Sequence, residues 1–239
     1  MVDVEYKGRF GNCLFQYTFA RLIAEDYHVP YCMSLEGRGI LESDDSSMSG
    51  EKPVCFTRVQ ENLGDLWQPP ALSLDCHVRF EGYFQRWEYF QGKQERVRKF
   101  FRVPPTVVGA PWLAKLPEDH VGIHLRLADY HEIPGLVKEP SVYFGVLDKL
   151  EASEIILVTD DPSDPYLRAF RERYRHLRVV SGSAKSDFEL LMSMSTLVVS
   201  NSTFSWWAAY LGGASRVFVP RDFGPGSASR GLHHLGIAF

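Results

Sequence analysis

Three short stretches carry residue types able to hold a charged ligand. In VGIHLRLADY, residues 121–130, His124 and Arg126 stand two apart, so in a strand they share one face, and Asp129 and Tyr130 follow at once. A guanidinium at a strand end can fork onto phosphate oxygens; the plainer role for Arg126 is a surface ion pair with Asp129. In SNSTFSWW, residues 200–207, Ser202 or Thr203 can cap a helix whose first N–H groups then face an anion. The plainer role is capping alone, with Trp206 and Trp207 packed in the core. In Thr159-Asp160-Asp161-Pro162, with Asp164 nearby, paired acids suit ribose hydroxyls or magnesium, and equally make a turn and a cap. Asp187 and Glu189 open a later helix, where negative charge suits the dipole with or without a ligand.

The elements that must position these residues are legible beyond about residue 105. Strand-like runs VGIHLRL, IILVTD, LRVVSG, TLVVSN and RVFVP alternate with helical stretches SVYFGVLDKLEA, PYLRAFRERYRH, DFELLMSM and TFSWWAAYL. Five strands separated by four helices predict a parallel sheet covered on both faces, which binds ligands at the carboxyl ends of its strands. On the first strand Val121, Ile123, Leu125 and Leu127 form the apolar face opposite His124 and Arg126.

The earlier part predicts a smaller α/β lobe. It has a strand at VDVEY, a helix over CLFQYTFARLIAEDY, a strand at HVRFEGY and a helix over QRWEYFQGKQERVRKFF. Leu14, Phe15, Phe19, Leu22 and Ile23 give the first helix one buried stripe. Ser43 to Lys52 reads as a surface loop, and Val103-Pro104-Pro105-Thr106 as the linker, because paired prolines stop a helix. The expectation is α/β, with two lobes, 1–105 and 106–239, and a cleft between them. Gly8-Arg9-Phe10-Gly11-Asn12 reads as a turn in which glycines take unusual backbone angles and Asn12 caps the first helix.

Composition narrows the chemistry. The 239 residues are 45% hydrophobic and 13% aromatic, enough for a substantial core. A formal charge of -4 supplies no basic field for nucleic acid or a membrane surface, so any anion must be held locally. Cys13, Cys32, Cys55 and Cys76 form no CxxC pair, so no metal is expected, and their thiols read as reduced. No apolar run approaches the ~20 residues of a membrane span and no signal peptide is visible, so a cytoplasmic protein is expected. A cation, a helix N-terminus and acids able to take ribose hydroxyls, gathered at one sheet edge, point to a nucleoside diphosphate. GxxxxGK[ST] and GxGxxG are absent, which argues against a P-loop enzyme or a dinucleotide binder and leaves a user of nucleotide sugars.

These residues resemble the α-1,2-fucosyltransferases and, more distantly, the protein O-fucosyltransferases. GRFGNCLFQYTFARLIA resembles the family's GxxGNQLFQYAFGRxLA block, FEGYFQRWEYF its GYFQ block and VGIHLRLADY its HxRRxDY block. VTDDP, SDFELLMSMSTLVVSNSTFSWWAAYL and RVFVP follow in the family's order. The resemblance implies a GT-B-type enzyme with two Rossmann-like lobes, moving fucose from GDP-fucose to a sugar hydroxyl of a glycan with inversion, no metal and no cofactor. It implies that Arg126 holds the diphosphate, that His124 and Asp129 shape the donor site, and that Ser202, Thr203 and Phe204 surround the nucleotide. Asp160 and Asp187 join the donor-binding set. Gly11, Asn12 and Phe15 fall on the acceptor side, with Asn12 beside Arg126 as a catalytic candidate near the reacting carbon.

Two positions depart from the pattern: Leu127 replaces the second Arg and Cys13 replaces the Gln after Gly-Asn. The loss of a cation keeps open another nucleotide sugar, such as UDP-xylose or a GDP-deoxyhexose, and a non-catalytic nucleotide- or glycan-binding relative. The proton acceptor is open among Asp3, Glu5 and Asp129, or departure of the proton with the diphosphate. Phe15, Tyr17, Tyr83, Phe84 and Trp87 can stack on sugar faces, although helical spacing assigns most of them to the core.

Overall fold

Among the described residues every pairing between named strands is parallel, which forces the connections to cross over a sheet face. The computed structural model describes residues 1–35, 40–41, 43, 55–62, 76–102, 117–223 and 230–239. The chain divides into two compact units, Met1–Val103 with Ser227–Gly231 and Pro104–Gly226 with Leu232–Phe239. The expected linker at 103–106 and most of the expected loop at 43–52 lie outside the described residues.

The first unit carries a sheet of β1 (Val2–Val4), β2 (Cys55–Gln60) and β3 (Cys76–Glu81) in the order β1-β3-β2. β2 escapes sequence reasoning because, as an exposed edge strand, it has no core face to impose an apolar alternation. Helix α1 (Phe10–Asp26) starts earlier than expected, so Gly11 and Asn12 lie inside it and Arg9 is the N-cap. Asn12 is therefore no cap; its N–H donates to the Arg9 carbonyl within the first turn. Nor does α1 bury a single stripe: every residue from Cys13 to Leu22 is buried. Phe19 stacks on Phe84 at 4.2 Å between ring centroids, and the Arg21 guanidinium lies 4.2 Å over Phe100 with Nη1 donating to the Tyr17 hydroxyl at 2.7 Å.

Gln16, fully buried, holds the ends of two strands together. Its Oε1 accepts from Lys7 N, while Nε2 donates to the Lys7 and Gly82 carbonyls. The long helix expected after β3 is instead α2 (Trp87–Phe90) and α3 (Gln94–Arg98), separated at Gly92, whose φ of 72° no continuing helix accommodates. Cys55 and Cys76, expected as free thiols, face each other in register on β2 and β3 and are joined by a disulfide.

The second unit follows the sequence pattern closely. Strands β4 (Val121–Leu125), β5 (Ile155–Thr159), β6 (Leu177–Val180), β7 (Thr196–Val198) and β8 (Arg216–Val219) alternate with α4 (Pro140–Leu150), α5 (Arg168–Arg173), α6 (Ala184–Met192) and α7 (Thr203–Leu211). The final residues add a short parallel strand, β9 (Ile237–Ala238), giving the order β6-β5-β4-β7-β8-β9. β4, β5 and β7 are buried on both faces. One face of β4 sends Val121, Ile123, Leu125 and Leu127 into a core with Tyr143 and Leu147 of α4 and Phe170 of α5. The other face is kept thin at Gly122, where a Cβ would stand 2.6 Å from Met194 Cγ.

Two glycines give opposite expectations. Gly8 has φ 78° and its Cβ would stand 2.3 Å from Asn12 Nδ2, so Gly8→Ala is expected to lower unfolding free energy by ~1–3 kcal/mol. Gly145, exposed within α4 with open space around it, is expected to gain ~0.5–1 kcal/mol on Gly145→Ala. Denaturant midpoints of the two variants check both signs.

Candidate functional site

The order of the larger sheet creates one particular edge. From β4 the chain winds outward through β5 and β6, whereas β7, β8 and β9 lie on the other side, so connections leave the carboxyl ends of β4 and β7 in opposite directions. Arg126 follows β4 and Ser200-Asn201-Ser202 follow β7, so sheet topology brings two of the sequence-predicted stretches to adjacent strand ends.

Arg126 is bonded at two points to Asp129, Nε to Oδ1 at 2.8 Å and Nη2 to Oδ2 at 2.7 Å, and its guanidinium lies 4.7 Å from the centre of the Tyr130 ring. Its side chain is 14% exposed, so it is shielded yet reachable. Burial is the largest single influence and works against its charge, but the hydrogen bonds to Asp129 together with the charges of Tyr130, Asp129 and Asp160 outweigh it and hold its pKa above the ordinary value. The turn carrying Asp129 and Tyr130 is a 3-10 helix, Ala128–Glu132. Asp160, at the end of β5, pins its start: Oδ1 accepts from Leu127 N at 2.8 Å and Ala128 N at 3.3 Å. That oxygen braces the loop of Arg126. Leu127, where the resembling family has a second Arg, is 1% exposed in the core.

His124 is buried on β4, two residues before Arg126, with Nδ1 3.3 Å from Ser200 Oγ and its ring 5.4 Å from that of Phe204. Burial first, and the Arg126 charge second, push its pKa down to about 3, so it is neutral at physiological pH. Phe204 in turn packs on Phe188 at 5.1 Å. Ser202 is the N-cap of α7 without a side-chain cap bond, and Thr203 is the first helical residue. The first turn of α7 carries no acidic residue, so nothing in it repels an anion approaching the helix N–H groups. Trp206 and Trp207 are fully buried, and Trp206 Nε1 donates to the Leu232 carbonyl. Asn201 ties the loop after β7 in place: Nδ2 donates to the Leu136 carbonyl at 2.9 Å, and its own carbonyl accepts from the Tyr130 hydroxyl. Asp187 is spent locally, both oxygens accepting from Gly182 N, and burial raises its pKa against that bond.

The first unit has a polar strand edge of its own. Asn12 Oδ1 accepts from Gln85 Nε2 at 2.9 Å, which places Asn12 beside the residues that follow β3. There Phe84 takes φ 53°, a left-handed backbone held in place by Glu61, whose Oε2 accepts from both Tyr83 N and Phe84 N. Burial raises the Glu61 pKa, opposed by those two N–H bonds and by Arg86. Gly11 is buried inside α1. Phe15, expected on the acceptor side, is fully buried edge-on against Phe90 at 5.3 Å and has no surface to offer a sugar. Glu61 and Gln85 are residues that sequence reasoning passed over: Glu61 lies beyond the edge strand it failed to find, and Gln85 stands out only through its partner.

Residues 70–223 match the family model described as glycosyl transferase family 11. Among curated proteins, the chain is 23% identical to a galactoside 2-alpha-L-fucosyltransferase of Mus musculus, over 95% of this chain and 68% of that one. It is 26% identical to galactoside alpha-(1,2)-fucosyltransferase 2 of Rattus norvegicus, over 59% of this chain and 46% of the other. The chain thus spans between about half and two thirds of these relatives. Its fold is similar to NodZ alpha-1,6-fucosyltransferase soaked with GDP-fucose, with TM-score 0.56 and 15% identity, over 90% of this chain and 92% of that one. It is also similar to a variant of Arabidopsis thaliana FUT1 in complex with GDP, with TM-score 0.54 and 12% identity, over 95% and 72%. The α/β architecture is of the GT-B type. Among the described residues, no helix is long and apolar enough to cross a membrane.

The neutral, buried His124 has a consequence for acid stability. Its folded pKa lies below the ordinary value, so the unfolded chain binds the proton more readily, and stability present above about pH 6.5 is lost as pH falls toward 3. His124→Gln is expected to lose less stability than the wild type between pH 7 and pH 5, each measured against its own value at pH 7. Chemical denaturation at the two pH values checks this.

Proposed function

The chain belongs to glycosyl transferase family 11, and from that premise we propose that it moves fucose from GDP-fucose to a sugar hydroxyl of a glycan, with inversion and without a metal or cofactor. The carrying observation is the Arg126 guanidinium, shielded and oriented by Asp129 and Tyr130 at the strand edge from which α7 starts. Of the two structural neighbours, one was soaked with GDP-fucose and one is in complex with GDP, which supports a guanosine nucleotide as the donor's carrier. The names of the curated relatives support a galactoside as acceptor and its 2-hydroxyl as the attacking group.

As the bond from fucose to the diphosphate breaks, charge accumulates on the phosphate oxygens. A fixed guanidinium and helix N–H donors stabilise that charge as a metal would, at no cost of reorganisation. In this reading Arg126 stays held to Asp129 through Nε and Nη2 and turns its remaining N–H groups to the diphosphate, Thr203 and Phe204 present the first turn of α7, and neutral His124 backs the site without adding charge. Asp160 acts by bracing the Arg126 loop, and Ser202 by setting the start of α7. The second unit takes the donor, and Gly11 and Asn12 keep the acceptor-side role that the resemblance implies.

Calorimetry with GDP-fucose, GDP and UDP sugars, paired with transfer to a β-galactoside, tests this reading. Arg126→Ala is expected to lower the transfer rate ~10²–10³-fold. Arg126→Lys is expected to recover part of that loss, because an ammonium keeps the charge but cannot fork. Binding of UDP sugars in place of GDP sugars would remove fucose from the assignment. Leu127, which leaves the edge one cation short of the family pattern, favours one second reading, a nucleotide-binding protein without turnover; GDP binding with no transfer would establish it.

A further inference from the structure

Transfer to a hydroxyl needs a group to take the hydroxyl proton, and the carboxylates that sequence inspection offers are engaged elsewhere. Asp3 is 6% exposed, with both oxygens on the Arg79 guanidinium and Oδ2 also 3.1 Å from His77 Nε2. Asp129 gives both oxygens to Arg126. Glu5 is paired with Lys7 at 3.1 Å. Of the acids after β5, Asp160 braces the Arg126 loop and Asp161 accepts from Ser163 N and Oγ.

Resting on the proposed transfer reaction, we infer that His131, oriented by Asp164, is the general base that activates the acceptor hydroxyl. His131 Nε2 lies 2.6 Å from Asp164 Oδ2, and Asp164 is buried at 7% exposure while His131 is 47% exposed. Asp164 is itself immobilised, because Oδ1 accepts from Tyr166 N at 2.8 Å as the cap of the turn Pro165–Leu167. A carboxylate takes the proton-bearing nitrogen, so Nε2 carries the hydrogen and the lone pair falls on Nδ1. Among the described residues no group bonds Nδ1. A buried acid that selects the tautomer and the orientation of an accessible imidazole is the arrangement that makes a histidine an efficient base.

The location fits the task. His131 is in the same 3-10 turn as Asp129 and Tyr130, immediately after the residue whose ring lies against Arg126 and whose hydroxyl meets the Asn201 carbonyl. In the step, Nδ1 takes the hydroxyl proton as the acceptor oxygen bonds to the anomeric carbon. The bond from that carbon to the β-phosphate oxygen breaks, and its electron pair leaves with the GDP held at Arg126. The imidazolium then returns the proton to solvent.

The test uses the whole chain, GDP-fucose and a β-galactoside acceptor. His131→Ala is expected to lower kcat for transfer ~10²–10⁴-fold. GDP-fucose affinity by calorimetry should stay within about twofold of the wild type, and added imidazole should restore at least about tenfold of the lost rate. His131→Gln, which keeps a polar partner for Asp164, is expected to lose as much rate without that rescue. Asp164→Asn is expected to lower kcat about tenfold with little change in acceptor KM, the mark of a positioning residue. Rates within about threefold of the wild type in both His131 variants overturn the inference, as does a loss of rate that follows a loss of GDP-fucose binding. A wild-type chain that turns over no GDP sugar overturns the transfer reading itself, which separates the two failures.

Discussion

The reversal of strand order between β4 and β7 is the constraint on which the rest of the second unit depends. Parallel strands must be joined over the sheet faces, and a chain that winds one way from β4 and the other way through β7 leaves those two carboxyl ends without a connection lying across them. Arg126 follows one of these strands and α7 starts after the other. The cation and the helix start come to neighbouring strand ends because β4 and β7 are paired in parallel, so their carboxyl ends lie at the same edge of the sheet.

Holding a guanidinium at such an edge has its own requirement. An arginine that is mostly withdrawn from water must be paired, and Asp129 supplies the pair three residues on, in a turn tight enough to reach back. That turn is stable because Asp160 accepts its first N–H groups and Tyr130 closes onto Asn201. The acids at the strand ends therefore serve mainly as braces. The same economy holds in the first unit, where Gln16 binds two strand ends and Glu61 fixes the left-handed turn at Phe84. Side chains that look from their type like ligand contacts spend their hydrogen bonds on loops, because loop N–H groups removed from water have to be satisfied.

Among the described residues, the groups left facing a ligand at this edge include a shielded Arg126, the first turn of α7, and His131 with one nitrogen tied to a buried carboxylate. Membership of glycosyl transferase family 11 agrees with such a set, since a departing diphosphate asks for fixed positive charge and donors. Leu127 shows where this chain differs from the pattern it resembles: its side chain belongs to the apolar face that packs α4 and α5, and the strand there supports hydrophobic burial in place of a second cation.

By itself the sequence determined the βα alternation of the second unit, the placing of His124 on a strand with Arg126 just past its end, and the start of a helix at Ser202-Thr203. Each follows from local periodicity and capping, which act over a few residues and need no knowledge of distant partners. Tertiary structure alone decided the strand order, the edge strand β2, the break at Gly92 and the partners of Asn12, Asp160 and Asp164. These depend on groups far apart in the chain, such as Asn12 with Gln85 or His131 with Asp164. The turn from Gly8 to Asn12 shows both sides: glycine at a positive φ was legible, but the cap belongs to Arg9, and Asn12 turns inward along α1 to a residue beyond β3. A side chain's local options can be read from its neighbours in sequence, whereas the option it takes is set by which buried group would otherwise lack a hydrogen bond.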